Sequence, residues 1–235
     1  MITLQKHLET DVVALGRDHR LPKTIAASTR RVYDVVSSIY PLSTYCFHSR
    51  AHKLALDISG IQDGMRILEV ATGSGEMFRR LVGANPNGET FGLDLSPRMA
   101  ARTQRQIRRD FPNAKASCQA VDCRQLPFRD EAFDVVVCCF LLELLGKEDI
   151  RRALSEIRRV LQPSGSLTLV CIGENAEVFN NLYRVAGSVA PAFWGRQVEQ
   201  RVPEWLHALH FRISHDRHVR QSGYPSRVLR AVKRP

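Results

Sequence analysis

The 235-residue chain contains no stretch near the roughly 20 consecutive apolar residues that cross a bilayer, which excludes a bundle of membrane-spanning helices. None of its six cysteines belongs to a Cys-x-x-Cys pair. Three of them, Cys138, Cys139 and Cys171, sit in Val/Leu-rich runs, where a free thiol packs as a small hydrophobe. We therefore expect reduced cysteines and no zinc or disulfide framework. Low-complexity tracts are absent, and a 44 % hydrophobic fraction beside 25 % charged residues is that of a folded globular chain. The N-terminal MITLQKHLETDVVALGRDHR has no signal-type apolar core, which points to a cytoplasmic protein.

Acidic residues are the scarcer charge, 24 against 34 Lys and Arg, leaving a net charge of +10. Such a surplus raises the question of an anionic partner. Within Pro97 to Asp110, Arg98, Arg102, Arg105 and Arg109 recur at helical spacing and share one face. That stripe is read as a solvated outer helix, with peripheral contact to an anionic membrane left open.

From Arg66 onward, short apolar runs alternate with segments of helical period. This order predicts an α/β domain, a doubly wound and mostly parallel sheet with helices on both faces. RILEVA (66–71), ETFGLDL (89–95), FDVVVCCF (133–140) and SLTLVCI (166–172) are the strand candidates, with KASCQAV a weaker one. Ile150, Leu154, Ile157 and Leu161 mark a helix over 147–161, stopped by Gln162-Pro163-Ser164-Gly165. The runs 210–219 and 226–232, joined through Ser222-Gly223-Tyr224-Pro225, read as a closing antiparallel hairpin. Residues 1–60 read as helices broken near Pro22 and Pro41 that cap the ligand-binding edge, leaving 61–235 as the ligand-binding part of one domain. A helical stretch over 176–190, a break at 191–195 and a further helix are expected before the hairpin.

The chemistry centres on Leu68-Glu69-Val70-Ala71-Thr72-Gly73-Ser74-Gly75, where a buried strand turns into a helix through two glycines. Such a turn brings backbone N–H groups close to a ligand. Two features set it apart from a pyrophosphate binder: Phe78 stands where a third glycine would allow close helix–strand contact, and Glu69 precedes the loop. An acid beside this loop pairs better with an ammonium than with a diphosphate. Nineteen residues after Gly75, Asp94 ends the second strand, near the spacing at which a carboxylate holds ribose hydroxyls. Its competing role, capping the helix that begins near Pro97, is better filled by Ser96.

Taken together, LEVATGSG, GLDLSP, VDCRQLPFRDEAFDVVV and EIRRVLQPSGSLTLV resemble the class I S-adenosylmethionine-dependent methyltransferases of the ubiquinone/menaquinone C-methyltransferase type, over about Tyr33 to Val170. The resemblance implies a seven-stranded sheet whose last strand is antiparallel, and S-adenosyl-L-methionine as cofactor. It implies Glu69, Gly73, Ser74 and Gly75 at the methionine moiety, Asp94 on the ribose, Leu95 and Met99 by the adenine, and Asp122 and Cys123 on the adenine edge. Tyr33, Ala71 and Cys139 complete the cofactor set it implies. The chain departs from that family at Ala71-Thr72, at Leu142-Glu143-Leu144, at Val35 to Ser38, and after Val170, where Glu-x-Ser is absent.

The acceptor stays open, with a small lipophilic molecule favoured, a quinone precursor or a lipid. Glu143, just past the fourth strand, is the candidate catalytic base, its pKa raised by desolvation. His207, His210, His215 and His218 fall on different elements, so no metal is expected. Tyr33, Tyr40, Tyr45, Phe179, Tyr183, Phe193 and Trp194 either line an acceptor pocket or pack the caps. An RNA methyltransferase is an alternative, disfavoured because no Asn/Asp-Pro-Pro-Tyr loop or Pro-Cys nucleophile is present. A protein that binds the cofactor without catalysis is the other alternative.

Overall fold

The computed structural model describes residues 40–174 and 198–234. Tyr33, Phe179, Tyr183, Phe193 and Trp194, the side chains of Tyr40 and Tyr45, most of the expected N-terminal cap and the expected helix over 176–190 lie outside the described residues.

The elements follow in the order α1 (Tyr40–Ile58), β1 (Arg66–Val70), α2 (Glu76–Ala84), β2 (Glu89–Asp94), α3 (Pro97–Asp110) and β3 (Lys115–Ala120). After them come β4 (Phe133–Cys139), a 3₁₀ turn (Leu142–Leu144), α4 (Lys147–Val160) and β5 (Leu161–Ile172). A second 3₁₀ turn (Glu199–Arg201), α5 (Val202–Ala208), β6 (Phe211–Gln221) and β7 (Tyr224–Lys233) close the chain. Seven strands form one sheet in the order β3-β2-β1-β4-β5-β7-β6. Strands β1 to β5 pair in parallel, whereas β7 is antiparallel to both β5 and β6. The expected doubly wound sheet with an antiparallel last strand is what the chain adopts.

Alternation along β1 sorts the core into two layers. Ile67 faces Ala51 and Ala55 of α1 and Met77 and Leu81 of α2. Leu68 and Val70 face the other way, into a cluster with Ile150, Leu154 and Ile157 of α4 and Leu206 of α5. Each fully buried aliphatic side chain here contributes about 1.5–3 kcal/mol by leaving water, so the 3.6-residue period of α4 suffices to dock it. The β4-to-β5 connection is tighter than expected. Helix α4 ends at Val160, and Leu161 already pairs with Phe133 before the Pro-Ser-Gly segment shifts the register to Val135↔Ser166.

Pro41 does not break a helix; it sits in the first turn of α1, where a missing N–H costs nothing. Helix α1 contacts β5, β6 and β7, and its His48 reaches the end of β4, stacking on Phe140 at 4.1 Å. The hairpin turn at Ser222 (φ 50°) and Gly223 (φ 79°) has two positive φ values, the backbone twist that two-residue hairpins favour. Phe78 finds room because the strand opposite gives way: a Cβ on Gly92 of β2 would meet the Phe78 ring at 2.9 Å. The small residue has moved from the helix to the sheet.

Candidate functional site: a cleft at the carboxyl ends of the strands

Sheet order reverses between β1 and β4, and a cleft opens at such a switch point beyond the strand ends. It encloses about 810 Å³ out to its open mouth. Gly73, Asp94, Ser96 and Asp122 supply its polar groups, while Leu93, Leu95, Val121, Leu141, Leu144 and Leu145 make it mostly apolar.

The first wall is the turn after β1. Thr72 N–H donates to Leu93 O at 2.9 Å, and Gly75 N–H to Thr72 O at 2.8 Å, which folds the turn against β2. Gly73 (φ 50°) and Gly75 (φ 80°) take the left-handed conformation this demands. Ala71 (φ 66°) takes it as well, at the cost of crowding its Cβ. Gly75 is also required by packing, because a Cβ there would lie 2.8 Å from Thr103 Oγ1.

Asp94 organises the second wall. Its Oδ2 accepts the Gly73 N–H at 2.7 Å and its Oδ1 the Ser96 N–H at 2.9 Å, so one carboxylate ties the β1 turn to the β2 turn. Ser96, not Asp94, caps α3: its Oγ accepts the Met99 N–H at 3.2 Å. Asp94 therefore faces the cleft without a capping duty.

The third wall is the loop after β3, where Val121, Asp122, Cys123 and Arg124 line the cleft. Helix α4 straps this loop down. Glu156 accepts the Leu126 N–H at 2.8 Å, and Arg159 donates to Leu126 O and Phe128 O at 3.0 and 2.7 Å. Asp122 is engaged by Arg124, whose Nη2 lies 2.6 Å from Oδ2. Burial works against the Asp122 charge, yet the Arg124 hydrogen bonds outweigh it and hold the carboxyl below its usual range.

Of the expected cofactor set, Ala71, Gly73, Asp94, Leu95, Asp122, Cys123 and Cys139 are brought together along this cleft. Four residues of the expected cofactor set do not line the cleft. Met99 is fully buried because its position on α3 faces the sheet, and Gly75 turns toward α3. Ser74 is 8 % exposed, and Glu69 lies beneath the turn at 1 % exposure. Glu69 is nonetheless distinctive: burial, then the nearby Asp94 charge, push its carboxyl well above the usual range, and its Oε2 has no hydrogen-bond partner among the described residues.

Glu143 requires the largest correction. It is 2 % exposed, and the cleft is lined instead by its neighbours Leu141, Leu144 and Leu145. Its Oε1 accepts the Ile172 N–H at 2.6 Å, turning the carboxyl toward the end of β5. Burial does raise its pKa, to about 7, with the Ile172 bond pulling the other way. The expected shift is present but the expected access is not.

Residues missed from the sequence include Ser96, Arg124 and Phe140. Phe140 (φ 54°) was read as the end of the strand run 133–140, whereas β4 stops at Cys139 and leaves Phe140 first after the strand. Arg124 had no local signal, since the loop sequence does not reveal which partner it bonds. Cys139 lines the cleft as a neutral thiol, its pKa pushed well up by burial. His207 lies on α5, His215 and His218 on β6, and His218 bonds Glu199 at 2.6 Å. Among the described residues, no three His, Cys, Asp or Glu side chains gather as a metal site. No helix among them is long and apolar enough to cross a membrane.

Sheet order and the glycine turn after β1 are those of the class I methyltransferase fold. Residues 67–165 match the family described as methyltransferase domain. The chain is similar to the ubiquinone/menaquinone biosynthesis C-methyltransferase of Idiomarina loihiensis, 29 % identical over 161 residues, 67 % of this chain and 61 % of that one. It is similarly related to the enzyme of that name from Methylococcus capsulatus, 29 % identical over 168 residues, 68 % of this chain and 65 % of that one. The chain thus spans about three fifths of the length of the curated relatives it matches. Among solved structures it shares its fold with the 1,6-didemethyltoxoflavin-N1-methyltransferase of Burkholderia thailandensis (TM-score 0.69, 15 % identity, 95 % of each chain). The cyclase SpnF shares it too (TM-score 0.70, 19 % identity, 88 % of this chain and 97 % of that one). The fold alone therefore does not fix the reaction.

Proposed function

We propose that this chain transfers a methyl group from S-adenosylmethionine to a small lipophilic acceptor of quinol type. The carrying observation is Asp94, buried to 9 % exposure at the cleft with both oxygens oriented by backbone N–H groups. A carboxylate oriented in this way at the cleft wall suits the two hydroxyls of a ribose diol. Leu95, Val121 and Cys123 line the cleft and suit the base end, while Glu69 lies beneath the glycine turn with a buried Oε2 that has no hydrogen-bond partner among the described residues.

When bound, the cofactor supplies a methyl group already activated on a sulfonium. What remains for the protein is to orient the reactants and exclude water. Orientation alone is worth about 7–11 kcal/mol of a displacement barrier. Leu141, Leu144, Leu145 and Phe140 form the dry side of the cleft that such alignment needs. Glu143 is not part of this reading as a base, because its carboxyl does not reach the cleft wall.

Two features support the acceptor class. Phe140 lines the cleft beyond β4 and is backed by an aromatic cluster: His48 lies 4.1 Å from Phe140 and 5.0 Å from Tyr224, ring centre to ring centre. Burial pushes the His48 pKa down to about 3, so the ring stacked behind Phe140 is neutral at pH 7 and adds no charge to this side of the cleft. The relatives named for ubiquinone and menaquinone biosynthesis point the same way.

Calorimetric titration of the chain with S-adenosylmethionine and S-adenosylhomocysteine tests the cofactor, and methyl-transfer assays on quinols and phospholipids then test the acceptor. Micromolar binding that Asp94→Ala abolishes, followed by turnover of a quinol, is the expected result. Absence of binding at saturating ligand would overturn the proposal. Binding without turnover of any acceptor would leave a cofactor-binding protein.

A further inference from the structure

Arg124 sits in the cleft wall between two carboxylates, one in its own loop and one, Asp149, brought from 25 positions away. Its Nε bridges Asp122 Oδ1 and Oδ2 at 3.0 and 3.1 Å, and its Nη2 reaches Oδ2 at 2.6 Å. Its own backbone N–H donates to Oδ1 at 3.0 Å. On the far side, Nη1 donates to Asp149 Oδ1 at 3.1 Å, anchoring the guanidinium to the first turn of α4. The three side chains are only 15 %, 24 % and 23 % exposed for Arg124, Asp122 and Asp149.

The geometry points to Arg124, anchored by Asp149, as the positioning residue that turns the Asp122 carboxylate into a reader of the nucleobase amino group. This rests on the cofactor reading above. A carboxylate on a loop swings about two torsions, but here a planar fork bonded at both oxygens fixes its plane. Three N–H groups, two from the Arg124 side chain and one from its backbone, make four contacts to Asp122, two on each oxygen, with the single Nε hydrogen shared between the oxygens. Because that hydrogen is shared, the fourth acceptor site is only partly used and a stronger donor can take it.

The charge balance sets what that site selects. Two carboxylates around one guanidinium leave a net negative group, so the wall favours a donor and disfavours an acceptor. Adenine presents an exocyclic amine at its edge, whereas hypoxanthine presents a carbonyl oxygen. Arg124 also keeps Asp122 ionised, since its hydrogen bonds outweigh the burial that would protonate the carboxyl. The strap from α4 completes the arrangement: with Leu126 and Phe128 held by Glu156 and Arg159, the loop carries Asp122 on a rigid base.

The test is calorimetric titration of the full chain with S-adenosylhomocysteine and with S-inosylhomocysteine. The wild type should prefer the adenosyl ligand by about 10- to 100-fold, the worth of one hydrogen bond to a charged group. Asp122→Ala sets the floor of that preference. Arg124→Gln should fall close to the floor while inosyl affinity stays within about threefold, a pattern general loosening of the cleft would not give. Arg124→Lys, which keeps the charge but not the fork, should fall between, and it serves if the glutamine variant does not fold. Retention of the full preference by either folded variant overturns the role of Arg124. A wild type that binds both ligands equally also overturns it, with the cofactor reading intact. A wild type that binds neither overturns the cofactor reading itself, and this inference with it.

Discussion

Two carboxylates follow strands on either side of the switch point, and they behave as opposites. Asp94, at the end of β2, has each oxygen held by a backbone N–H and faces the cleft. Glu143, past the end of β4, has one oxygen on the Ile172 N–H, the other without a hydrogen-bond partner among the described residues, and no share of the cleft wall. Position after a strand is common to both. The difference lies in the turn: β2 runs straight into Ser96 and α3, whereas the chain leaves β4 through Phe140 at φ 54° and a 3₁₀ turn. That left-handed step presents the leucines to the cleft and rotates Glu143 toward β5. A shifted pKa with no access marks a buried acid, whereas oriented oxygens at the cleft wall leave Asp94 where a ligand could meet it.

Breaking the first carboxylate should have the largest effect. On the proposed reading, Asp94→Ala removes the ribose-binding carboxylate together with the tie between two turns, and should weaken S-adenosylhomocysteine binding by roughly 100- to 1,000-fold in calorimetry. A loss under about fivefold would remove Asp94 from the ligand site.

Glu143 sharpens the contrast through pH. Its folded pKa is raised from 4.5 to about 7, so the native state holds a proton that the unfolded chain releases, and its stabilising share falls as pH rises between those values. The full swing is about 3 kcal/mol from the unit-to-energy conversion. Glu143→Gln keeps an acceptor for Ile172 and cannot ionise. It should match the wild type near pH 4.5 and exceed its stability by up to about 3 kcal/mol at pH 8 in urea unfolding, with methyl transfer unchanged. Parallel wild-type and variant curves across that window would contradict the buried-acid account, and lost turnover would restore Glu143 as a base.

Smaller effects separate the two walls beside Asp94. Ser96→Ala removes the cap of α3 and should cost about 1 kcal/mol of stability, read as a lower urea midpoint. No change would mean that Asp94, not Ser96, carries the helix end. Ala71→Gly relieves a left-handed alanine at about 1–2 kcal/mol of strain while adding unfolded-state freedom. We expect a net gain of roughly 0.5 kcal/mol, and a loss above about 1 kcal/mol would show that the Ala71 methyl packs usefully.

The half of the site built from β1 and β2 was legible because its signals are local. Gly73 and Gly75 mark the turn, Asp94 ends a strand, and Ser96 precedes Pro97 at a helix start. Met99 was misplaced because a residue near the site in sequence can still sit on the buried face of α3. Arg124 was missed because its outer partner, Asp149, is 25 positions away. The fit of Phe78 was likewise hidden, since it depends on Gly92 in the neighbouring strand.

What the sequence determined by itself were the elements, their order and the turn that approaches a ligand, because period, glycine placement and capping act over one to four residues. What only the tertiary structure decided was which acids face the cleft and which guanidinium holds them. Those outcomes depend on the rotation of each strand end and on partners brought together across the sheet, and neither is written in any short stretch of chain.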